Sequence, residues 1–316
     1  VFKMAEAVGD IFNDNKASKS YRLSLYPPDE YFSRASLEIG NLYKYRVTNF
    51  IHSTADTSAS EYVGFVAVDT DERKAVLGRR DILVSWRGSI TGLDWAEDVN
   101  SFPTSAKEFF GTDLAQVHYD FLFIYIGKVV DSLYSKTNAR DQALKAVKEQ
   151  VDKHQNEDVS ITVTGHSLGA VLATLNAMDL VANGFNKPTG NPAKSFMVTA
   201  FPAASPRVGN LKFLEIFAGL KDLHLLRIVN STDPVPKVPI GFDYTHVGVQ
   251  ENGEFKLEEE LDFDNAVVNK HGDCLLDNYK IPIEWRNNEK FKGMVQMDDS
   301  HWKFVDSAYV PDPPSA

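Results

Sequence analysis

The stretch from Val159 to Ala182, VSITVTGHSLGAVLATLNAMDLVA, decides the fold. Its opening, Val159–Thr164, alternates branched apolar and small polar residues, the pattern of a β-strand. Gly165-His166-Ser167-Leu168-Gly169 then brackets a turn with two glycines, which let neighbouring backbone approach without a Cβ clash. Leu168–Ala182 reads as a helix that is Ala- and Leu-rich on most sides, as for one packed closely on a sheet, and Gly184 can end it. A second β-rich run, Phe196–Phe201, follows. Strand, helix, strand in this order is a βαβ unit, which implies parallel strands joined by a right-handed crossover.

Working outward, β-rich runs also stand at Tyr43–Ile51, Tyr62–Val68, Asp81–Trp86 and Leu223–Val229. Between them, 138–154 (NARDQALKAVKEQVDKH) carries Ala143, Leu144, Val147 and Val151 on one helical face, and Asn138 with Asp141 three residues on is a start signal. The first residues, VFKMAEAVGDIFN, read as an amphipathic helix without the small-residue end of a signal peptide. Phe242–Gln250 and Glu254–Leu257 read as a hairpin around Asn252-Gly253. No internal repeat or interdomain linker interrupts the pattern. The expectation is a single α/β domain over 1–316, with a mostly parallel central sheet flanked by helices and a flexible tail over 299–316.

Composition narrows the partners. With 33 Lys+Arg against 44 Asp+Glu the formal net charge is −11, so the basic footprint that nucleic acid demands is missing. The same balance disfavours charge-driven attachment to anionic lipid and leaves apolar contact with a lipid surface open. One cysteine, Cys274, permits no intrachain disulfide and points to a reducing compartment. No apolar run is long enough to span a bilayer. The chain starts at Val1 rather than Met, as a fragment or processed form would. A cytoplasmic location is expected, or a plastid one if a targeting segment was removed. No His-Glu-x-x-His, cysteine pair, P-loop or dinucleotide glycine pattern is present, so no metal and no cofactor is expected.

The chemistry concentrates at the turn. A Gly-x-Ser-x-Gly directly after a strand and before a helix is the context of a nucleophile elbow, which strains the serine backbone and lifts its Oγ above the sheet edge. Ser167 is then the nucleophile. The Leu168 N–H, at the helix N-terminus, is an oxyanion donor, with the helix dipole assisting. A serine needs a base, and the base an orienting carboxylate. Asp233 lies just past the carboxyl end of Leu223–Val229, in the chain order such sheets use, although an Asp before Pro234 is also an ordinary turn residue. Ser89 follows Asp81–Trp86 in Arg87-Gly88-Ser89, where it is either a second oxyanion donor or part of a plain polar turn.

SWRGS (85–89), GHSLG (165–169), AVLATL (170–175), ASPRVGN (204–210) and NSTDPVP (230–236) together resemble the class 3 lipase family. YKYRVTNFIHST (43–54), LGRRDILVSWRGS (77–89), KTNARDQ (136–142), VNK (268–270) and KGMVQ (292–296) narrow the resemblance to the plant class II phospholipase A1 acylhydrolases. It implies an α/β-hydrolase fold and cleavage of acyl esters at the sn-1 position of glycerolipids. It further implies Ser167 as nucleophile, Asp233 as acid, and Ser89 with Leu168 as oxyanion hole. ITGLDWAEDVNSF (90–102) matches the family's lid, in which Ile90, Leu93, Trp95 and Val99 would form an apolar flap that opens against lipid. Without the resemblance, that stripe reads as core.

The histidine departs from the pattern. The family carries its catalytic His in a His-x-Leu-Glu-like motif between the HVG strand and VNK. Here His246-Val247-Gly248 runs through a short acidic stretch to Val268-Asn269-Lys270 with no histidine between. His271, 38 residues after Asp233, is the histidine that chain order nominates; His246 and His301 are weaker candidates, and His166 is the structural x of the elbow motif. Two functions therefore remain from sequence. One is a serine acyl-ester hydrolase acting on glycerolipids or phospholipids. The other is a non-catalytic lipase-fold protein that binds a lipid or a partner. A repurposed acyl-pocket enzyme is a distant third.

Overall fold

In the computed structural model the described residues are 2–35, 37, 44–56, 59–89, 102–128, 132–229, 233–239, 244–248, 294–296, 302–304 and 309–314. Six strands form the main sheet in the order β1-β2-β3-β6-β7-β8: β1 (Tyr45–Asp56), β2 (Ala59–Asp69), β3 (Arg80–Trp86), β6 (Val159–His166), β7 (Met197–Ala203) and β8 (Leu223–Leu225). The first three pair antiparallel, and β3, β6, β7 and β8 run parallel. The pair β4 (Pro103–Ser105) and β5 (Gln116–His118) and the pair β9 (Met294–Gln296) and β10 (Trp302–Phe304) form separate two-stranded ribbons. Helices are α1 (Phe2–Asp10), α2 (Tyr31–Arg34), α3 (Asp71–Leu77), α4 (Lys107–Phe110), α5 (Tyr119–Ile126), α6 (Ala139–Lys153), α7 (Leu168–Ala182) and α8 (Leu211–Gly219).

The sheet has an apolar core on each face. On one side α5, α6 and α7 pack Tyr125, Leu144, Val147, Val171 and Leu175 against Val84, Trp86, Ile161 and Val163. On the other, Val8 of α1, Ile11 just past it, and Tyr31 and Phe32 of α2 pack against Tyr62, Phe65 and Leu83. A strand covered on both faces reads as a continuous buried run, and every residue of β3 is buried. Helix α6 begins as its sequence predicts, with the Asn138 side chain accepting from the Asp141 N–H at 2.7 Å. In α7, residues 169–180 are all buried, which accounts for its apolar character all round.

The expected strands differ from the observed ones mainly in length. β1 starts two residues later than Tyr43 and continues past Ile51 through buried His52, Ser53 and Thr54, polar residues that alternation alone does not mark as strand. Regular β8 is only Leu223–Leu225, but its parallel track persists: Leu226 and Ile228 donate to Ala200 and Pro202, and Ala204 donates to Ile228. Of the hairpin expected at 242–257, only 244–248 is described, and there Thr245 makes one antiparallel bridge to Gly209. Of the tail, residues 309–314 lie against the body, with Pro311 buried and its carbonyl accepting from Tyr134 Oη at 2.7 Å.

Candidate active site

Register brings the candidate residues to one edge. Trp86 of β3 pairs with Gly165 of β6, and Gly165 and His166 pair with Pro202 and Ala203 of β7. Ala203 in turn bridges Ile228 in parallel. The chain therefore leaves β3, β6, β7 and the β8 track at the same level, and Ser89, Ser167, Ala204 and Asp233 all follow within a few residues.

Ser167 stands between β6 and α7 with φ 55° and ψ −120°, a backbone conformation L-residues rarely adopt and one that costs about 1–3 kcal/mol. The sheet holds it there: its N–H donates to the Ala203 carbonyl at 3.0 Å, and its carbonyl accepts from Ala170 N–H. The motif's glycines are required by space. A Cβ on Gly165 would lie 2.1 Å from the Gly169 carbonyl oxygen, and one on Gly169 would lie 2.4 Å from that of Trp86. Gly88 is equally constrained, since its Cβ would meet the His166 carbonyl at 2.9 Å. The loop carrying Ser89 thus abuts the elbow, and Ser89, Ser167 and Leu168 are all half-buried.

Asp233 is fully buried, and its Oδ1 accepts from the Val235 N–H at 2.9 Å, which closes a turn into the short 3-10 helix Val235–Lys237. Both readings of this residue therefore coexist. It is a turn residue, and it is also a buried carboxylate at the strand-end level of Ser167. Burial holds the His166 imidazole at about 3, so it is neutral near pH 7. His246 is likewise held at about 3, by burial first and then by Arg227 and Arg207, and its ring is hydrogen-bonded to the Pro236 backbone. His271 and His301 lie outside the described residues, as do Ile90, Leu93, Trp95 and Val99 of the expected lid.

Sequence reasoning missed Arg87. This fully buried side chain pairs with Glu61 of β2 at 2.9 Å and lies 4.3 Å from the Phe12 ring centroid, two residues before Ser89. It fastens the Ser89 loop to β2 and to the N-terminal segment. Its place between Trp86 and Gly88 was the available signal. Ala204 was also passed over. With φ 52° it is one of three non-glycine residues at positive φ among those described, and it directly follows Ala203, whose carbonyl accepts from Ser167.

The model of the class 3 lipase family matches residues 83–242, half of the chain and a span that includes Ser89, Ser167 and Asp233. The chain belongs to the class 3 lipase family. Among curated relatives of this lipase, phospholipase A1-IIgamma of Arabidopsis thaliana is 39% identical, covering 96% of this chain and 85% of its own. Phospholipase A1-II 4 of Oryza sativa subsp. japonica is 35% identical, covering 96% and 87%. The Lip2 lipase of Yarrowia lipolytica superposes with a TM-score of 0.51 at 21% identity, over 78% of this chain and 75% of that one, a likeness of fold. The fold is that of the α/β-hydrolases. The Arabidopsis alignment runs over 358 positions and takes in 96% of the 316 residues of this chain, so more than 42 positions stand opposite gaps in it.

Among the described residues no group of three or more His, Cys, Asp or Glu is placed to hold a metal ion, and no helix is long and apolar enough to cross a membrane.

Proposed function

We propose that this chain is a serine acyl-ester hydrolase that cleaves the sn-1 acyl ester of glycerophospholipids. The observation that carries the reading is the strained Ser167 backbone on the β6–α7 turn, knitted to Ala203 and backed by the Ser89 loop. The curated relatives bear the name phospholipase A1, and this supports the substrate class.

In the proposed reaction Ser167 Oγ attacks the ester carbonyl carbon while an imidazole takes its proton. The carbonyl oxygen becomes an oxyanion facing the Leu168 N–H and Ser89. Collapse expels the lysolipid alkoxide, which receives that proton, and leaves an acyl-Ser167. Water, deprotonated by the same imidazole, then releases the fatty acid and restores Ser167. Asp233 orients the imidazole and stabilises its cationic form. We assign the base to His271, the first histidine after Asp233 beyond the HVG segment. The alternative of a lipase fold kept for binding alone has less support, because binding does not require a serine held at positive φ.

A fluorophosphonate probe tests the nucleophile: the wild-type protein should label and Ser167→Ala should not, whereas an unlabelled folded wild type would sink the enzyme reading. Phospholipids labelled separately at sn-1 and sn-2 then read the position of cleavage. Loss of the general base in His271→Ala should lower kcat by about 10²–10⁴-fold. An unchanged rate in that variant would move the assignment to another histidine.

A further inference from the structure

A cavity of about 350 Å³ opens between β1, α6 and residues 309–314, at the far edge of the sheet from β6. His52 lines it. The side chain is buried, and neither ring nitrogen has a hydrogen-bond partner among the described residues. Burial holds this imidazole at about 3, so near pH 7 it presents one N–H donor and one bare nitrogen acceptor. The neighbouring Gln142 cannot serve it, because its amide is fully engaged with the backbone of His52, Tyr134 and Thr137. Two unmet ring nitrogens against a hollow leave room for a partner inside it.

The mouth has a definite charge. Glu149 and Asp312 line it as exposed carboxylates with no ion pair or hydrogen bond among the described residues. Asp141 adds a third carboxylate, 3.8 Å from Lys128 and 3.5 Å from Arg140. Lys145 is the one cationic side chain in the lining. Phe50 and Tyr309 supply aromatic walls. Carboxylates and aromatic faces at the entrance suit an organic ammonium, and the neutral imidazole at depth suits a hydroxyl that can both give and accept. The volume falls at the small end of small-molecule sites.

We propose that this cavity binds a small amino-alcohol cation, with its ammonium between Glu149 and Asp312 and its hydroxyl on His52. The site is separate from Ser167 and does not depend on the hydrolase reading. The free compound carries both groups; in a phospholipid headgroup the hydroxyl is esterified, and the phosphate ester oxygen that replaces it can only accept from the imidazole N–H. Calorimetric titration of the full chain with choline chloride and with ethanolamine, against sodium acetate at matched ionic strength, reads the free form. Saturable binding of the cations and none of acetate is expected. Glu149→Gln with Asp312→Asn, at exposed positions that leave the fold intact, should weaken binding by about tenfold or more, and His52→Phe should weaken it as well. Flotation with phosphatidylcholine against phosphatidylglycerol vesicles separates the sources. Choline-lipid flotation that the double variant loses upholds the proposal with a membrane headgroup as ligand, and titration without flotation upholds it with the free compound. Absence of both, or binding unchanged in the double variant, overturns it and leaves water as the partner of His52.

Discussion

Ser167 and two of the buried imidazoles, His52 and His166, which burial keeps neutral, set opposing demands at the residue scale. The serine stores backbone strain for reactivity, and the imidazoles give up their charge to be packed. Their cost has a sign. Each folded-state value, about 3, lies below the unfolded value near 6.5, so the unfolded chain binds the proton first as pH falls. Stability is therefore full above about pH 6.5 and is lost progressively down to about pH 3, at about 1.4 kcal/mol per pH unit for each ring. Urea unfolding at pH 7 and pH 5 should show the midpoint dropping, and His52→Phe should flatten that dependence. An unchanged slope in this variant would count against His52 being neutral in the fold.

The elements meet at two kinds of joint, steric and ionic. At the steric joint, Gly169 lets the first turn of α7 lie against the end of β3. A Gly169→Ala methyl 2.4 Å from the Trp86 carbonyl must push the helix away. Displacement of the Leu168 N–H from the forming oxyanion should lower kcat/KM by about 100-fold, measured on the phospholipid that the wild type cleaves. At the ionic joint, buried Asp179 of α7 takes a bidentate bond from Arg140 of α6 at 2.5 and 3.1 Å and one from Tyr125 of α5 at 3.2 Å. Arg140→Ala strands that carboxylate, and a loss of about 3 kcal/mol is expected in equilibrium unfolding. The elements themselves were legible because their signals are local: the cap at Asn138, the apolar face of α6, and the Gly-x-Ser-x-Gly between a strand and an Ala-rich helix. The joints were not, because Arg87 finds Glu61 and Phe12, and Asp179 finds Arg140, only after distant segments meet. The site divided in the same way. Ser167 could be read from its neighbours and Asp233 from strand order, whereas the base has no local signature in the 246–271 stretch.

Across the whole molecule, both ends of the described chain are tied to the sheet. The C-terminal stretch reaches Tyr134 through the Pro311 carbonyl and forms a wall of the His52 cavity. Tyr134→Phe removes that bond, so amide exchange at 312 and its neighbours should rise several-fold while β6 and α7 stay protected. Exchange unchanged in 309–314 would mean that the proline packing holds the segment without the hydroxyl. At the other end, α1 packs on β3 and β6, and Ser85 Oγ donates to the Met4 carbonyl at 2.9 Å. This contact has a consequence for biosynthesis. The helix bearing Met4 and Val8 is translated well before the strands it packs on, and its bed is complete only when His166 has been made. At ordinary elongation rates of about 5–20 residues per second, that interval is roughly ten to thirty seconds. Throughout it the nascent chain carries an apolar helix with no place to dock, which makes the N-terminal segment the natural client of a ribosome-associated holdase.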